Sequence, residues 1–191
     1  MSVFAEHVAN ALPLYMVEMG LEHAGRRGAA KGADFENLVI ATNQGYQKRG
    51  LGIVKKNQVR KMVAAGRLIH AEKSTVDFDG FMVGIGFVAF DCKSVHGGVW
   101  RPDKDQIHQH LFLLTGQRLM PKTHARFFYL IQMRIVDDTH GSLMSVNRTY
   151  LVENLEELTE AGKYEANPAD EVHASAGGFL VDYRKKLLEI G

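Results

Sequence analysis

Apolar positions recur at helical spacing towards both ends of this chain and at strand spacing through its middle. Residues 3–22 place Val3, Phe4, Val8, Leu12, Tyr15, Met16 and Met19 on one broad stripe, which predicts a helix that Pro13 kinks or breaks. Residues 25–32 carry three glycines and three bases and read as a flexible linker. A second helix begins near Asp34, a side chain suited to an N-cap, with Phe35, Leu38, Val39 and Thr42 on one side. Strands follow over 50–54, 67–77 and 81–93, and the basic stretch between the first two reads as partly helical over 57–65. Residues 103–116 predict a helix that ends at Gly116 and buries Ile107, His110, Leu111 and Leu114. Strands over 126–135 and 142–152, an acidic helix over 153–161 and an amphipathic helix over 179–190 complete the order. That order predicts an α/β fold with a mixed central β-sheet flanked by helices. It divides into an N-terminal helical extension (1–30), a main domain (31–152) and a C-terminal helical extension (153–191).

The chemistry concentrates in two of the central strands. Thr75-Val76-Asp77-Phe78-Asp79-Gly80 is followed by Phe87-Val88-Ala89-Phe90-Asp91-Cys92-Lys93. The pair reads as a hairpin turning at Asp79-Gly80. Alternation puts Asp91 and Lys93 on one face and points Phe90 and Cys92 into the core. An acid on one strand, with an acid and a lysine on the next, can hold a divalent cation beside a fixed positive charge. Phosphodiester hydrolysis uses that arrangement, with the metal activating water and the ammonium stabilising developing charge. The plainer alternative is two hairpin acids facing water beside a lysine. The apolar run Phe87-Val88-Ala89-Phe90 argues against it, because acids are seldom buried without a partner or a metal.

Composition adds limits. The 191 residues are 46% hydrophobic and 24% charged, ordinary values for a soluble globular protein. No apolar run is long enough to span a membrane, and Glu6 with no basic start speaks against a signal peptide. The single cysteine excludes an intramolecular disulfide and suits a cytoplasmic protein. Net charge is +1 but unevenly spread. Residues 48–73 hold eight bases and one acid, for a net +7, and residues 151–191 hold nine acids and four bases, for a net −5. A basic segment beside the acidic pair suits a polyanionic substrate.

Taken in order, these residues resemble the RecU family of Holliday junction resolvases, within the PD-(D/E)XK nuclease fold. Residues 32–46, with Glu36 and the ending Asn43-Gln44-Gly45-Tyr46, are similar to the family's first helix. Ser74-Thr75-Val76-Asp77-Phe78-Asp79-Gly80 resembles its Ser-Thr-x-Asp-Tyr-x-Gly strand. Phe90-Asp91-Cys92-Lys93 resembles its Phe-Glu-x-Lys strand, His108-Gln109 its His-Gln pair, and the aromatic strand from Phe127 to Ile131 the one that follows. The likeness covers residues 30 to 150. It implies that residues 31–152 form a nuclease domain and that Thr75, Asp77, Asp91 and Gln109 bind Mg²⁺, with Mn²⁺ as a substitute. It further implies that Lys93 stabilises the transition state and Glu36 is a helical catalytic acid. Residues 55–73 take the place of a positively charged stalk that enters the junction, with Lys55, Lys56, Arg60, Lys61 and Arg67 as DNA-binding bases. The expected activity is Mg²⁺-dependent cleavage of four-way DNA junctions by a homodimer, in DNA recombination and repair. The sequence departs from the family where Asp91 replaces Glu, where Asn57 replaces a proline, and in a shorter stalk.

Two further readings stay open: another nuclease of the same fold acting on duplex or flapped DNA, and a non-catalytic DNA-binding recombination protein. Other chemistry is less well supported. None of the nine histidines makes a zinc-type pair with the cysteine. Cys92 faces the core side of its strand, and Gly84-Ile85-Gly86 is too short for a dinucleotide loop. Trp100 and Arg101 suit either stacking on DNA or packing.

Overall fold

The computed structural model describes residues 33–57, 61–64, 67–70, 76–137, 144–175 and 177–191. The helix expected over 3–22 and the linker after it lie outside these residues. Helix α1 covers residues 33–48 and buries Phe35, Val39 and Thr42 of the expected stripe, with Leu38 partly buried, and it buries Asn43 and Tyr46 as well. The strands are β1 (Gly52–Lys56), β2 (Lys61–Ala64), β3 (Arg67–His70), β4 (Phe78–Met82), β5 (Gly86–His96), β6 (Val99–Trp100), β7 (Ala125–Asp137), β8 (Met144–Val152), β9 (Tyr164–Glu165) and β10 (Glu171–Val172). The remaining helices are α2 (Ile107–Leu119), α3 (Leu155–Ala161) and α4 (Tyr183–Glu189).

Six strands form the central sheet in the order β1-β4-β5-β7-β8-β10. Only the β5–β7 pair is parallel, so the sheet is mixed and the chain crosses over through α2 to connect those two strands. Alternation splits the core in two. Phe78, Phe90 and Phe128 lie opposite one another on β4, β5 and β7. Their rings stack across the three strands at centroid distances of 5.1 and 4.7 Å. This face packs against α1 and α4 through Phe35, Val39, Tyr183 and Leu187. The opposite face carries Ala89, Phe127, Tyr129 and Ile131 and packs against α2 and α3 through Leu113, Leu114, Leu155 and Leu158. The result is an α/β fold with a mixed central sheet flanked by helices, as the order of elements predicts.

Several boundaries differ from expectation for physical reasons. Asp79-Gly80 is not a turn. Both residues lie inside β4, and the chain reverses at residues 83–85. Gly80 is needed because β4 passes so close to β1 that a Cβ there would lie 2.0 Å from the Ile53 carbonyl oxygen. The basic stretch expected to be partly helical instead contributes β2, which pairs with β3 as a separate two-stranded ribbon. Helix α2 starts later and runs past Gly116, and it leaves Ile107 and Leu111 half exposed while burying His110, Leu113 and Leu114. Residues 153–191 pack into the main body. They supply β10 to the sheet, and Val172, Phe179, Val181, Tyr183 and Leu187 join the α1-side core. The terminal helix is shorter than 179–190 because Asp182 caps it, accepting from the Lys185 N–H at 3.1 Å.

Candidate active site

Asp77 lies in the bend that leads into β4, and Asp91 and Lys93 lie near the middle of β5. The antiparallel β4–β5 pairing brings them together. The Asp77 N–H donates to Asp91 Oδ1 at 3.2 Å, and the Cys92 N–H donates to Asp77 Oδ2 at 2.9 Å. Asp91 is fully buried and its Oδ2 forms an ion pair with the Lys93 ammonium, which is itself mostly buried. Asp91 and Lys93 thus share a face, as alternation predicts, but that face leads into the second core rather than into open solvent. Burial first, and then the hydrogen bond and charge of Asp91, push the Asp77 carboxyl up to about 7. The Cys92 N–H and the Lys93 charge oppose this less strongly.

Two residues to which sequence reasoning assigns no part in the site support this cluster. Asn57 sits at the end of β1, where its N–H donates to the Asp77 carbonyl at 2.7 Å. Its side-chain amide donates to the Val76 carbonyl at 3.2 Å and to Asp79 Oδ2 at 3.0 Å. It ties the root of the basic segment to the bend that bears Asp77. Gln106 stands at the start of α2 and accepts a hydrogen bond from the Lys93 ammonium. No sequence signal singled it out, because the spacing starts the helix at 103 and puts Gln106 inside it, whereas the structure starts α2 at Ile107. His110, one turn further on, is buried with its ring stacked on Tyr129. It contacts the Tyr129 hydroxyl at 3.2 Å and the Thr159 hydroxyl at 2.8 Å. Burial lowers the His110 pKa, and burial with the Asp91 charge raises that of Tyr129, the residue opposite Asp91 on β7. This column lines the Tyr129 side of Asp91 with neutral hydrogen-bonding groups.

The remaining candidates are placed unequally. Gln109 lies in the first turn of α2, three residues from Gln106. Its Oε1 is buried without a hydrogen-bond partner among the described residues. Glu36 on α1 pairs with Lys56 of β1 instead of joining Asp77 or Asp91, though its charge reaches Cys92. Thr75 and Arg60 lie outside the described residues. Lys61 and Arg67 lie on the β2–β3 ribbon, and Lys55 and Lys56 are exposed on β1. Trp100 is buried against Tyr129 at a centroid distance of 4.8 Å, so it packs. Cys92 is buried in the α1-side core, with its thiol pKa raised by desolvation, the wrong direction for a nucleophile.

The donor set can be tested for a hard cation. No group of three His, Cys, Asp or Glu side chains suited to a metal occurs among the described residues. Two carboxylates do converge, and a buried amide oxygen of Gln109 lacks a partner. Carboxylate and amide oxygens suit Mg²⁺, which keeps several waters and needs few protein ligands. In donor chemistry Asp77 and Asp91 suit such an ion, and Gln109 on the following helix carries a third oxygen of that class.

No protein-family model and no curated protein matches the chain. Nor is any helix among the described residues long and apolar enough to cross a membrane.

Proposed function

We propose that this chain is a Mg²⁺-dependent, structure-specific endodeoxyribonuclease of the PD-(D/E)XK type. It resolves four-way DNA junctions as a cytoplasmic homodimer in recombination and repair, in the manner of the RecU family it resembles. The observation that carries this reading is the convergence of Asp77, Asp91 and Lys93 on adjacent strands, with Asp91 fully buried and paired to the lysine. Burial of that kind is costly unless the charges have a task or a tight partner.

Asp77, Asp91 and Gln109, with Thr75, would hold the metal. When bound, Mg²⁺ supplies an acidified water and neutralises charge on the scissile phosphate. Lys93 places a fixed ammonium beside the phosphate as charge develops on it. Glu36 orients water from the α1 side. The protein's own dipoles need little rearrangement, because β5 and the bend before β4 fix both carboxylates through backbone hydrogen bonds. Lys55, Lys56 and the β2–β3 ribbon supply phosphate contacts that position DNA without reading its sequence. Two copies related by a two-fold axis would suit the two symmetric strands of a junction.

The test is cleavage of labelled four-way junctions and linear duplexes with and without Mg²⁺, alongside Asp77→Asn, Asp91→Asn and Lys93→Ala. The proposal expects symmetric junction products that need metal, lost in each variant while junction binding survives. Equal cutting of linear duplex would point to another nuclease of this type, and binding without any cleavage to a non-catalytic protein. Light scattering of the free protein should give twice the 21.3 kDa of one chain.

A further inference from the structure

We infer that Gln106 is a positioning residue for Lys93: it gives the ammonium a second seat, so that Asp91 can be released to a divalent cation. This rests on the metal-dependent reading above. Lys93 meets two oxygens at once: it pairs its charge with Asp91 Oδ2, which takes no hydrogen bond among the described residues, and it donates to Gln106 Oε1. The first is a fully buried carboxylate and the second a neutral amide. An ammonium and a metal ion are rival counter-ions for one carboxylate oxygen. The Lys93 charge neutralises Asp91. When Asp91 serves a cation, the ammonium must give up that pair without being stranded in a mostly buried place, and Gln106, which already accepts from it, keeps it there.

The helix start supports this. Gln106 occupies the N-cap of α2, yet its side chain makes no cap hydrogen bond, and the first turn carries no acid. Helices α3 and α4 are capped by Asn154 and Asp182. The chain enters α2 from a 3₁₀ turn over Lys104–Gln106, so position 106 lacks the extended backbone with which a Ser or Asp would cap the helix. The amide oxygen is spent on Lys93 instead. Gln109, three residues on, keeps its own Oε1 without a partner among the described residues. The two amides thus divide the work: Gln106 receives the lysine, and Gln109 stays open.

The experiment measures Mn²⁺ binding to the full-length, metal-free protein by calorimetry, without DNA, for wild type, Gln106→Ser, Lys93→Met and the double variant. Thermal melts of each accompany the titrations. Gln106→Ser keeps a polar side chain at the start of α2 but cannot reach Lys93. It should melt close to the wild-type temperature yet bind Mn²⁺ about 3- to 10-fold more weakly, at the lower end of what contacting residues show. Lys93→Met removes the rival and should bind Mn²⁺ more tightly. In the Lys93→Met background, Gln106→Ser should have no effect. Unchanged affinity in Gln106→Ser, or an equal loss in both backgrounds, would overturn the role of Gln106 and leave the metal site standing. Wild type that binds no Mn²⁺ would overturn the metal site and this inference together. If Lys93→Met does not fold, Lys93→Ala serves as the background in its place: an equal loss there overturns the role of Gln106, and no loss there upholds it.

Discussion

At the scale of single residues, Asp77 shows how a site can weaken the fold that carries it. Its carboxyl is raised to about 7, against about 3.9 in an unfolded chain. The folded protein therefore holds an extra proton between those values. The stability this gives is complete below about pH 4 and is lost as pH rises through 7. Asp77→Asn keeps an acceptor for the Cys92 N–H and removes the ionisation. In the absence of metal it should match wild type in stability near pH 4 and exceed it by roughly 1–3 kcal/mol above pH 7. Thermal melts across pH check this, and a variant that melts below wild type at pH 8 contradicts it. Asp91 and Lys93 were legible in sequence because a strand alternates faces whatever surrounds it. Gln106 was not, because its role depends on how the crossover sets α2 against β5, which no local pattern encodes.

At the scale of elements, α2 shows packing overriding propensity. Gly116 was read as the end of the helix, yet the helix continues to Leu119. A Cβ at Gly116 would lie 2.3 Å from the Phe127 ring, so glycine lets α2 sit close on β7. Gly116→Ala should gain about 1 kcal/mol of helix propensity and lose roughly 2–3 kcal/mol to overpacking. The net should be a destabilisation, measured by urea unfolding. The basic segment misled for the opposite reason. Its lysines and alanines favour helix, but pairing of β2 with β3 decides the matter, and Gly66 between those strands was the signal to weigh. Replacing Lys55, Lys56, Arg60 and Lys61 together by Ala should weaken junction binding and flatten its salt dependence. Each lost phosphate contact should lower the slope of log K against log salt by about 0.9. An unchanged slope would place the DNA on another surface.

At the scale of the whole molecule, the C-terminal 39 residues are part of the structure that holds the site. The sequence sets them apart as a C-terminal helical extension because the family likeness ends at residue 150. Packing joins them to the sheet regardless, since Val172, Phe179, Val181, Tyr183 and Leu187 are all buried in one core. At about 1.5–3 kcal/mol for each buried side chain, their loss is as large as the roughly 5–15 kcal/mol by which a domain is stable. It would also leave the buried guanidinium of Arg126 without Glu153, its partner in two hydrogen bonds. A chain ending at Val152 should therefore show no cooperative unfolding transition by circular dichroism, and a sharp transition would refute the assignment. The single parallel pairing in the sheet bears on the order in which the chain closes. The β4–β5 hairpin needs only a short turn and can form within microseconds. β7 must wait for the long crossover that carries α2, and such non-local pairings close late. The two carboxylates would then meet early, before Gln106 arrives to share the lysine. Mild acid, by discharging Asp77, should ease that first encounter and quicken the refolding of the chain.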